Sequence, residues 1–129
     1  MTRVNVVPVE ELSDQWLIAE YRELPRCLKK EMDVCNIPNK YILGTGHMKW
    51  AHKFGLYTNS RMKELVNEMK FRGFCTTYSS NLNKYIRPHM KNYTPTQEDI
   101  QLNRERLKER YNQNHKIYKW TKRIKPDYL

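Results

Sequence analysis

The clearest periodic pattern in the chain lies between about residues 10 and 30. Acidic side chains precede it, and Lys29 and Lys30 stand at its end, which suits the dipole of a helix. Pro25 removes one backbone donor, so we expect a kink there. The pattern therefore predicts a first helix over about residues 10–30. Its apolar positions recur at helical spacing and share one face: Leu17, Tyr21, Leu24 and Leu28.

Two further helices are predicted from local signals. Residues 60–72 carry an apolar face, and Gly73 suits the position that follows a helix. The run Thr94-Pro95-Thr96-Gln97 resembles a capping box with Pro95 at the first helical position, opening a helix that ends near residue 113. The expected apolar faces are Met62, Leu65, Val66 and Met69 in the second helix, and Ile100, Leu107 and Tyr111 in the third.

The remaining segments lack a sustained period. Residues 31–57 contain Pro38 and several glycines, so we interpret them as an ordered connection, buried in part through apolar side chains. About 20 residues after Gly73 are rich in Ser, Asn, Thr and Tyr and are predicted to be loop. No strand pattern is present. We therefore predict an all-α fold, one compact domain over residues 1–129 with three main helices and long ordered loops. The apolar side chains expected to bury the connection are Ile42, Leu43, Trp50 and Phe54.

Charge changes the picture by indicating a partner. Lys and Arg number 24 against 14 for Asp and Glu, a formal net charge of +10. Residues 104–125 alone hold nine basic and two acidic residues. Such an excess favours a polyanionic partner, most commonly nucleic acid. The alternative is a solvated basic tail.

Cysteines and histidines give no sign of a metal or a disulfide framework. The three cysteines lack a C-x-x-C spacing and are expected to be reduced thiols in a protein of the cell interior. The four histidines match no ligand pattern; His47 and His52 could meet at a metal, but core or surface roles are favoured. No apolar run approaches the roughly 20 residues of a membrane span. We therefore expect no cofactor, no metal and no membrane. The residues concerned are Cys27, Cys35, Cys75, His47, His52, His89 and His115.

A polar line on the first helix offers candidate chemistry. Gln15, Ala19, Arg22 and Arg26 fall on one side of it, opposite the apolar stripe. Arginines a turn apart suit phosphate oxygens, which they can meet bidentately. Glu23 projects from the edge of the same face. The alternative is an ordinary solvated helix face.

The N-terminus offers a candidate nucleophile. Thr2 follows Met1, and a small second residue permits removal of that methionine. The exposed α-amino group would titrate near about 7.7–8.0, and the nearby basic residues Arg3, Arg22 and Arg26 would lower its pKa further. Such an amine can attack a sugar C1′ and form an imine when a carboxylate assists, and Glu23 is the candidate.

Several runs resemble one enzyme family, the phage pyrimidine-dimer DNA glycosylases of the endonuclease V type. The runs Met1-Thr2-Arg3-Val4-Asn5 and Ala19-Glu20-Tyr21-Arg22-Glu23-Leu24-Pro25-Arg26 are similar to the start of that family. Ile42-Leu43-Gly44-Thr45-Gly46-His47 resembles its Gly-x-Gly-His segment. Lys70-Phe71-Arg72-Gly73-Phe74 resembles the end of its second helix, and Ile117-Tyr118-Lys119-Trp120 its aromatic C-terminus. The Arg-Glu-Leu-Pro-Arg run together with Thr2 is the most specific part.

The resemblance implies a DNA repair enzyme, a glycosylase for cyclobutane pyrimidine dimers in duplex DNA with a coupled AP lyase. It implies Thr2 as the imine-forming nucleophile and Glu23 as the catalytic carboxylate. We expect the protein to act as a monomer without a cofactor. It also implies DNA contacts from Arg3, Gln15, Arg22, Arg26, Arg106, Arg110, Tyr118, Lys119 and Trp120.

Two positions depart from the family pattern. Trp16 stands where the best-known member has a histidine, and Ile117 aligns with its tail tryptophan. Substrate range can therefore differ. The alternatives are a related glycosylase or lyase for another damaged base or an abasic site, and a basic nucleic-acid-binding protein without chemistry.

Overall fold

The structure is a computed structural model that describes residues 2–77 and 81–129. Within these residues the chain forms helices and turns and no strand, so the all-α prediction is confirmed. None of the described helices is long and apolar enough to cross a membrane. Three are longer than the rest, as predicted: α1, α4 and α5. The helices are α1 (Asp14–Glu23), α2 (Arg26–Lys29), α3 (His47–Lys53), α4 (Gly55–Arg72) and α5 (Gln97–Gln113), and the 3-10 turns are Val9–Glu11, Asn83–Tyr85 and His115–Ile117.

The first predicted helix is divided into three pieces, so one helix over residues 10–30 is wrong. A 3-10 turn comes first, and Ser13 then caps α1 by accepting a hydrogen bond from the Trp16 backbone N–H at 3.1 Å. Pro25 has no backbone N–H, and the helix breaks there before α2 resumes at Arg26. The expected kink is therefore confirmed as a break. The predicted apolar stripe is buried throughout: Leu17, Tyr21, Leu24 and Leu28.

The second half of the predicted connection is helical, which corrects that prediction. Helix α3 has seven residues, too few to give a periodic signal. Helix α4 begins at Gly55 rather than near residue 60, and a Cβ on Gly55 would overlap the Met90 side chain. The end of α4 is as predicted: Gly73 has φ +89°, and the Phe74 N–H donates to the Met69 carbonyl at 2.9 Å.

The capping box of α5 is real but lies two residues later than predicted. Thr96, not Thr94, is the N-cap: its hydroxyl accepts the Asp99 backbone N–H at 3.1 Å. The Asp99 carboxylate in return accepts the Thr96 N–H at 2.9 Å. Pro95 consequently precedes the cap and is not the first helical residue. The end at Gln113 is as predicted.

The C-terminal tail is fixed to the first turn of α1 and to α4. The Lys119 carbonyl accepts the Asp14 backbone N–H at 2.7 Å, and Arg123 forms an ion pair with Glu68 at 2.8 Å. The indole N–H of Trp120 donates to the Glu11 carbonyl at 3.0 Å. Part of the basic excess at the C-terminus is therefore used to hold the chain together.

Candidate active site

The N-terminal segment of residues 4–7 is buried although it belongs to no helix. Backbone groups in such a segment need side-chain partners. Asn103 of α5 supplies them, because its Oδ1 accepts the N–H groups of Val6 at 2.7 Å and Val7 at 3.1 Å. Its Nδ2 donates to Asn5 Oδ1 at 2.8 Å. One fully buried amide thus ties the N-terminal segment to α5.

A buried ion pair holds the same segment from the other side. Glu20 of α1 accepts the backbone N–H and the side-chain N–H of Asn5, at 3.2 and 2.8 Å. Arg61 of α4 donates to the same carboxylate from two nitrogens, at 2.9 and 3.2 Å, and to the Val7 carbonyl at 2.6 Å. Removing one partner of such a pair would leave an uncompensated buried charge. Helices α1 and α4 therefore both fix the N-terminal segment.

His47, the first residue of α3, holds the residues next to Thr2. Its Nε2 accepts the backbone N–H groups of Arg3 at 3.2 Å and Val4 at 3.1 Å. Its Nδ1 lies 2.8 Å from the Ile42 carbonyl, which can only accept, so Nδ1 carries the proton. Burial lowers the pKa of His47 and keeps the neutral ring that this arrangement requires.

Two glycines allow His47 to reach this position. Gly44 and Gly46 adopt φ values of +70° and +87°, in the left-handed region that favours glycine. Gly46 directly precedes α3, and the turn carries the chain from Ile42 back to His47. The Gly-x-Gly-His segment is thus a support for the N-terminus.

Glu23, at the end of α1, lies between two arginines. Its Oε2 atom is 3.4 Å from the Nε atom of Arg3 and 3.4 Å from a guanidinium nitrogen of Arg26. Neither Glu23 Oε2 nor Arg3 Nε has an aligned hydrogen bond, although both atoms are buried. The Glu23 side chain is 18% exposed, against 66% for Arg26. The two arginines thus compensate the charge of the carboxylate, while its Oε2 atom can still accept a hydrogen bond.

Two cavities open on successive turns of α1. One, of about 210 Å³, is lined by Thr2, Gln15 and Ala19 together with Arg110 and Tyr118. The other, of about 510 Å³, contains Glu23 and is lined by basic and apolar side chains. Ala19 and Glu23 are four residues apart on the helix, so the two cavities are neighbours. The side chains around Glu23 are Arg22, Pro25, Arg26, Lys29, Asn81, Leu82, Lys84 and Tyr85.

Cys27 lies near these groups but is not a nucleophile. It is fully buried, and burial raises the pKa of its thiol to about 12. Almost no thiolate exists at neutral pH under these conditions. Cys27 is therefore a packing residue.

The structure brings some predicted site residues together and separates others. Arg22, Glu23 and Arg26 line one cavity, with Arg3 in contact with Glu23. The other cavity is shared by Thr2, Gln15, Arg110 and Tyr118. Arg106 lies elsewhere on α5, 3.7 Å from Glu109, beside residues 40–43. Lys119 is exposed, and its backbone N–H donates to Gln15 at 3.1 Å.

The aromatic tail packs on α1. The rings of Trp16 and Tyr118 have centroids 4.6 Å apart, and Trp16 and Trp120 are 6.1 Å apart. Tyr111 of α5 joins the same cluster at 6.0 Å from Tyr118. Trp16, which departs from the family pattern, thus forms the surface of α1 against which the tail packs.

These features define a basic helical protein with an ion-paired carboxylate beside two clefts, an arrangement suited to an enzyme that acts on a polyanion. The family model for pyrimidine dimer DNA glycosylases matches residues 1–82, more than half of the chain. The chain therefore belongs to the pyrimidine dimer DNA glycosylase family, and its substrate is DNA. The match includes the N-terminal segment, α1 and the His47 support, and it confirms the resemblance drawn from the sequence.

The sequence reasoning missed the residues that hold the N-terminus. Asn103 stands between Ile100 and Leu107 in the apolar stripe of α5, and a polar residue inside such a stripe is the signal that would have found it. Glu20 and Arg61 carry no comparable signal, because their pairing joins residues 41 positions apart.

Proposed function

We propose that this family member cleaves the glycosidic bond of a cyclobutane pyrimidine dimer in duplex DNA and then nicks the strand as an AP lyase. The observation that carries the proposal is the contact between Arg3 and Glu23, 3.4 Å apart, because it fixes the residue after Thr2 against Glu23, the one carboxylate among the described residues that line these two cavities. We further propose that the protein acts as a monomeric single domain and needs no metal for the reaction.

The nucleophile in this proposal is the α-amino group of Thr2, free once Met1 has been removed. The support is the rigidity of its attachment: His47, Asn103 and Glu20 hold residues 3–7 from three helices. A nucleophile set on a fixed segment loses little freedom on reaction, which favours attack in one geometry. The Thr2 hydroxyl is also buried without a hydrogen-bond partner beside the smaller cavity, and a bound nucleotide would supply one.

Glu23 is the proposed proton carrier. The amine attacks C1′ of the damaged nucleotide, the bond from C1′ to the base nitrogen breaks, and the base leaves with that electron pair. The amine nitrogen loses a proton to Glu23. The nitrogen lone pair then expels O4′, which opens the sugar ring, takes that proton back from Glu23 and leaves an imine between Thr2 and C1′. Removal of a C2′ proton then breaks the bond from C3′ to the phosphate oxygen, which leaves a nick. The unused acceptor capacity of Glu23 Oε2 supports this role.

Arg22 and Arg26 are the proposed phosphate contacts nearest the reaction. Both are exposed and line the cavity of about 510 Å³, together with Lys29 and Lys84. A volume in this range holds a small ligand, and we propose that it receives a nucleotide displaced from the stack. A dimer makes the duplex easier to kink, so deformability contributes to selection of the lesion.

The outer contacts in the proposal come from α5 and the tail. Arg106 and Arg110 would meet backbone phosphates, and Tyr118, Lys119 and Trp120 would lie beside the damaged strand together with Gln15. The partial exposure of these side chains supports the assignment. The indole N–H of Trp120 is already bonded to Glu11, so this residue would contact DNA through its ring face.

Borohydride trapping tests the proposal. The Met1-processed protein is mixed with duplex containing one thymine dimer, sodium borohydride is added, and the adduct is located by mass spectrometry. We expect a covalent adduct on Thr2, strongly reduced in Glu23→Gln. An adduct with abasic DNA alone would keep the chemistry and reassign the lesion. Absence of an adduct with either substrate, while duplex binding persists, would leave a binding protein without lyase chemistry.

A further inference from the structure

Three potential metal ligands meet on the side of α3 opposite the N-terminal support. Glu31 follows the end of α2, His52 lies on α3, and His89 lies in a turn shortly before α5. One ligand atom from each of the three lies within 4.8 Å of the other two. Because the three residues are far apart in the sequence, no motif of closely spaced ligands predicts the cluster.

His52 presents a lone pair that has no hydrogen-bond partner among the residues the structure describes. Its Nδ1 lies 2.9 Å from the Cys27 carbonyl, which can only accept, so Nδ1 carries the proton in the neutral ring. Nε2 is then an acceptor, and it is buried without a hydrogen-bond partner in a side chain that is 0% exposed. The Glu31 Oε1 oxygen, a second acceptor, lies 3.6 Å from this nitrogen. A cation between these two lone pairs would satisfy both of them.

The distances suit a small divalent ion. A tetrahedral zinc with bonds of about 2.0–2.1 Å keeps its ligand atoms roughly 3.4 Å apart. Glu31 Oε1 lies 3.6 Å from His52 Nε2 and 3.7 Å from His89 Nε2. The two histidines lie within 4.8 Å of each other through their ligand atoms, so closing around an ion would move chiefly His89, which is exposed on a turn.

The surroundings also resemble those of metal ligands. A ligating histidine commonly donates its other N–H to a backbone carbonyl, as His52 does to Cys27. Arg87 binds the other carboxylate oxygen of Glu31 at 2.8 Å and donates to the Leu28 carbonyl at 2.7 Å. Arg87 therefore orients the carboxylate and leaves Oε1 directed at the two imidazoles.

We propose that Glu31, His52 and His89 bind one Zn²⁺ ion, with water as a fourth ligand. The ion would join the end of α2, the helix α3 and the turn at His89. Arg26 and Lys29 of α2, and Lys84 and Tyr85 before the turn, line the cavity that contains Glu23. The site is structural, since it braces the wall of that cavity and takes no part in bond breaking. This departs from the expectation, drawn from histidine spacing, of a protein without metal.

Metal titration of the full chain, without an affinity tag, tests the proposal. Cys35→Ser and Cys75→Ser remove the two exposed thiols that would compete for metal. Zn²⁺ is titrated into chelator-treated protein by calorimetry, and Co²⁺ is titrated in parallel by visible absorption. We expect one equivalent of each ion, Co²⁺ bands of a nitrogen and oxygen site without thiolate charge transfer, and a higher Tm with Zn²⁺.

Variants decide whether these three residues form the site. His89→Gln and Glu31→Gln change exposed side chains and should weaken Zn²⁺ binding by at least about tenfold, with loss of the thermal shift. His115→Gln, a histidine outside the cluster, should bind as the parent does. His52→Gln alters a buried residue, so its result counts only if the variant folds.

The proposal would be overturned by the absence of stoichiometric binding, or by equal affinity in His89→Gln and His115→Gln. Because the readout is metal affinity and thermal stability, it is independent of the outcome of borohydride trapping.

Discussion

His47 accepts hydrogen bonds at one nitrogen from two successive backbone N–H groups, those of Arg3 and Val4, at 3.2 and 3.1 Å. Such a bond pattern requires the neutral ring with its proton on Nδ1, which the Ile42 carbonyl enforces. The ring thus orients the backbone that leads to Thr2 without touching the cavities beside it. In the proposed mechanism, its effect on the reactivity of the Thr2 amine would come through position.

His47→Gln tests this positioning role. Loss of the ring leaves two buried N–H groups unsatisfied, which costs about 1–3 kcal/mol each when no water replaces it. We expect the single-turnover rate of imine formation to fall strongly while duplex affinity changes little. Amide hydrogen exchange at Arg3 and Val4, followed by NMR, should accelerate. A fall in rate with unchanged exchange, or an equal fall in His115→Gln, would contradict the role.

An added N-terminal residue separates binding from chemistry. One glycine placed before Thr2 keeps an amine but moves it by about 3.3–3.6 Å, the length of one extended residue. We expect the borohydride adduct to disappear while binding to duplex DNA persists. Gel shift and trapping on the same samples measure the two properties. Trapping at full yield by the extended protein would show that another amine reacts.

The double variant Arg22→Gln, Arg26→Gln tests the phosphate contacts. Each lost phosphate contact should lower the slope of log Kobs against log salt concentration by about 0.9, so the double variant should lose roughly 1.8. Binding is measured by fluorescence anisotropy between low and physiological salt. Lys63→Gln on α4, also exposed, is the matched control and should leave the slope unchanged. An unaltered slope in the double variant would place these arginines off the DNA.

The lowered pKa of Glu68 makes the stability of the fold depend on pH. Burial alone would raise its pKa, but hydrogen bonds from Arg123 and Arg72 outweigh this effect and lower the pKa below 4.5. A lowered carboxyl pKa stabilises the fold fully above pH 4.5, and this stabilisation is lost as pH falls through the folded-state value. We therefore expect Glu68→Gln to have a lower Tm than the parent at pH 7.

The Tm difference between parent and Glu68→Gln should narrow as pH falls below 4.5 and the carboxylate becomes protonated. Thermal unfolding followed by circular dichroism from pH 7 to pH 3 measures it. A constant difference across this range would mean that the ion pairs with Arg72 and Arg123 contribute nothing. Glu64→Gln, an exposed glutamate on the same helix, is the control.

The sequence predicted correctly those structural features that depend on neighbouring residues alone. The stripe from Leu17 to Leu28 is buried because apolar side chains at helical spacing must share a face, and Gly73 ends α4 because a positive φ favours glycine. The break at Pro25 follows from one missing donor. Helix α3 was missed because seven residues give too few repeats.

The hydrogen bonds that hold the N-terminal segment of the candidate site could not be predicted from local sequence patterns. The hydrogen bonds of Asn103 to Val6, of Arg61 to Glu20 and of His47 to Arg3 join residues 97, 41 and 44 positions apart. The N-terminal residues indicated Thr2 and Glu23 as candidates and the resemblance implied their roles, but neither showed what holds the segment between them. The cluster of Glu31, His52 and His89 was not predicted for the same reason, since only folding brings these ligands together.

The dependence of the N-terminal segment on Asn103 has a consequence for biosynthesis. Val6 is bonded to a residue 97 positions later, so its final environment cannot form until α5 has left the ribosome. Until then the first residues of the chain stay accessible to a peptidase that would remove Met1. We expect the order of synthesis itself to ensure that the proposed processing precedes docking of the N-terminal segment onto the finished fold.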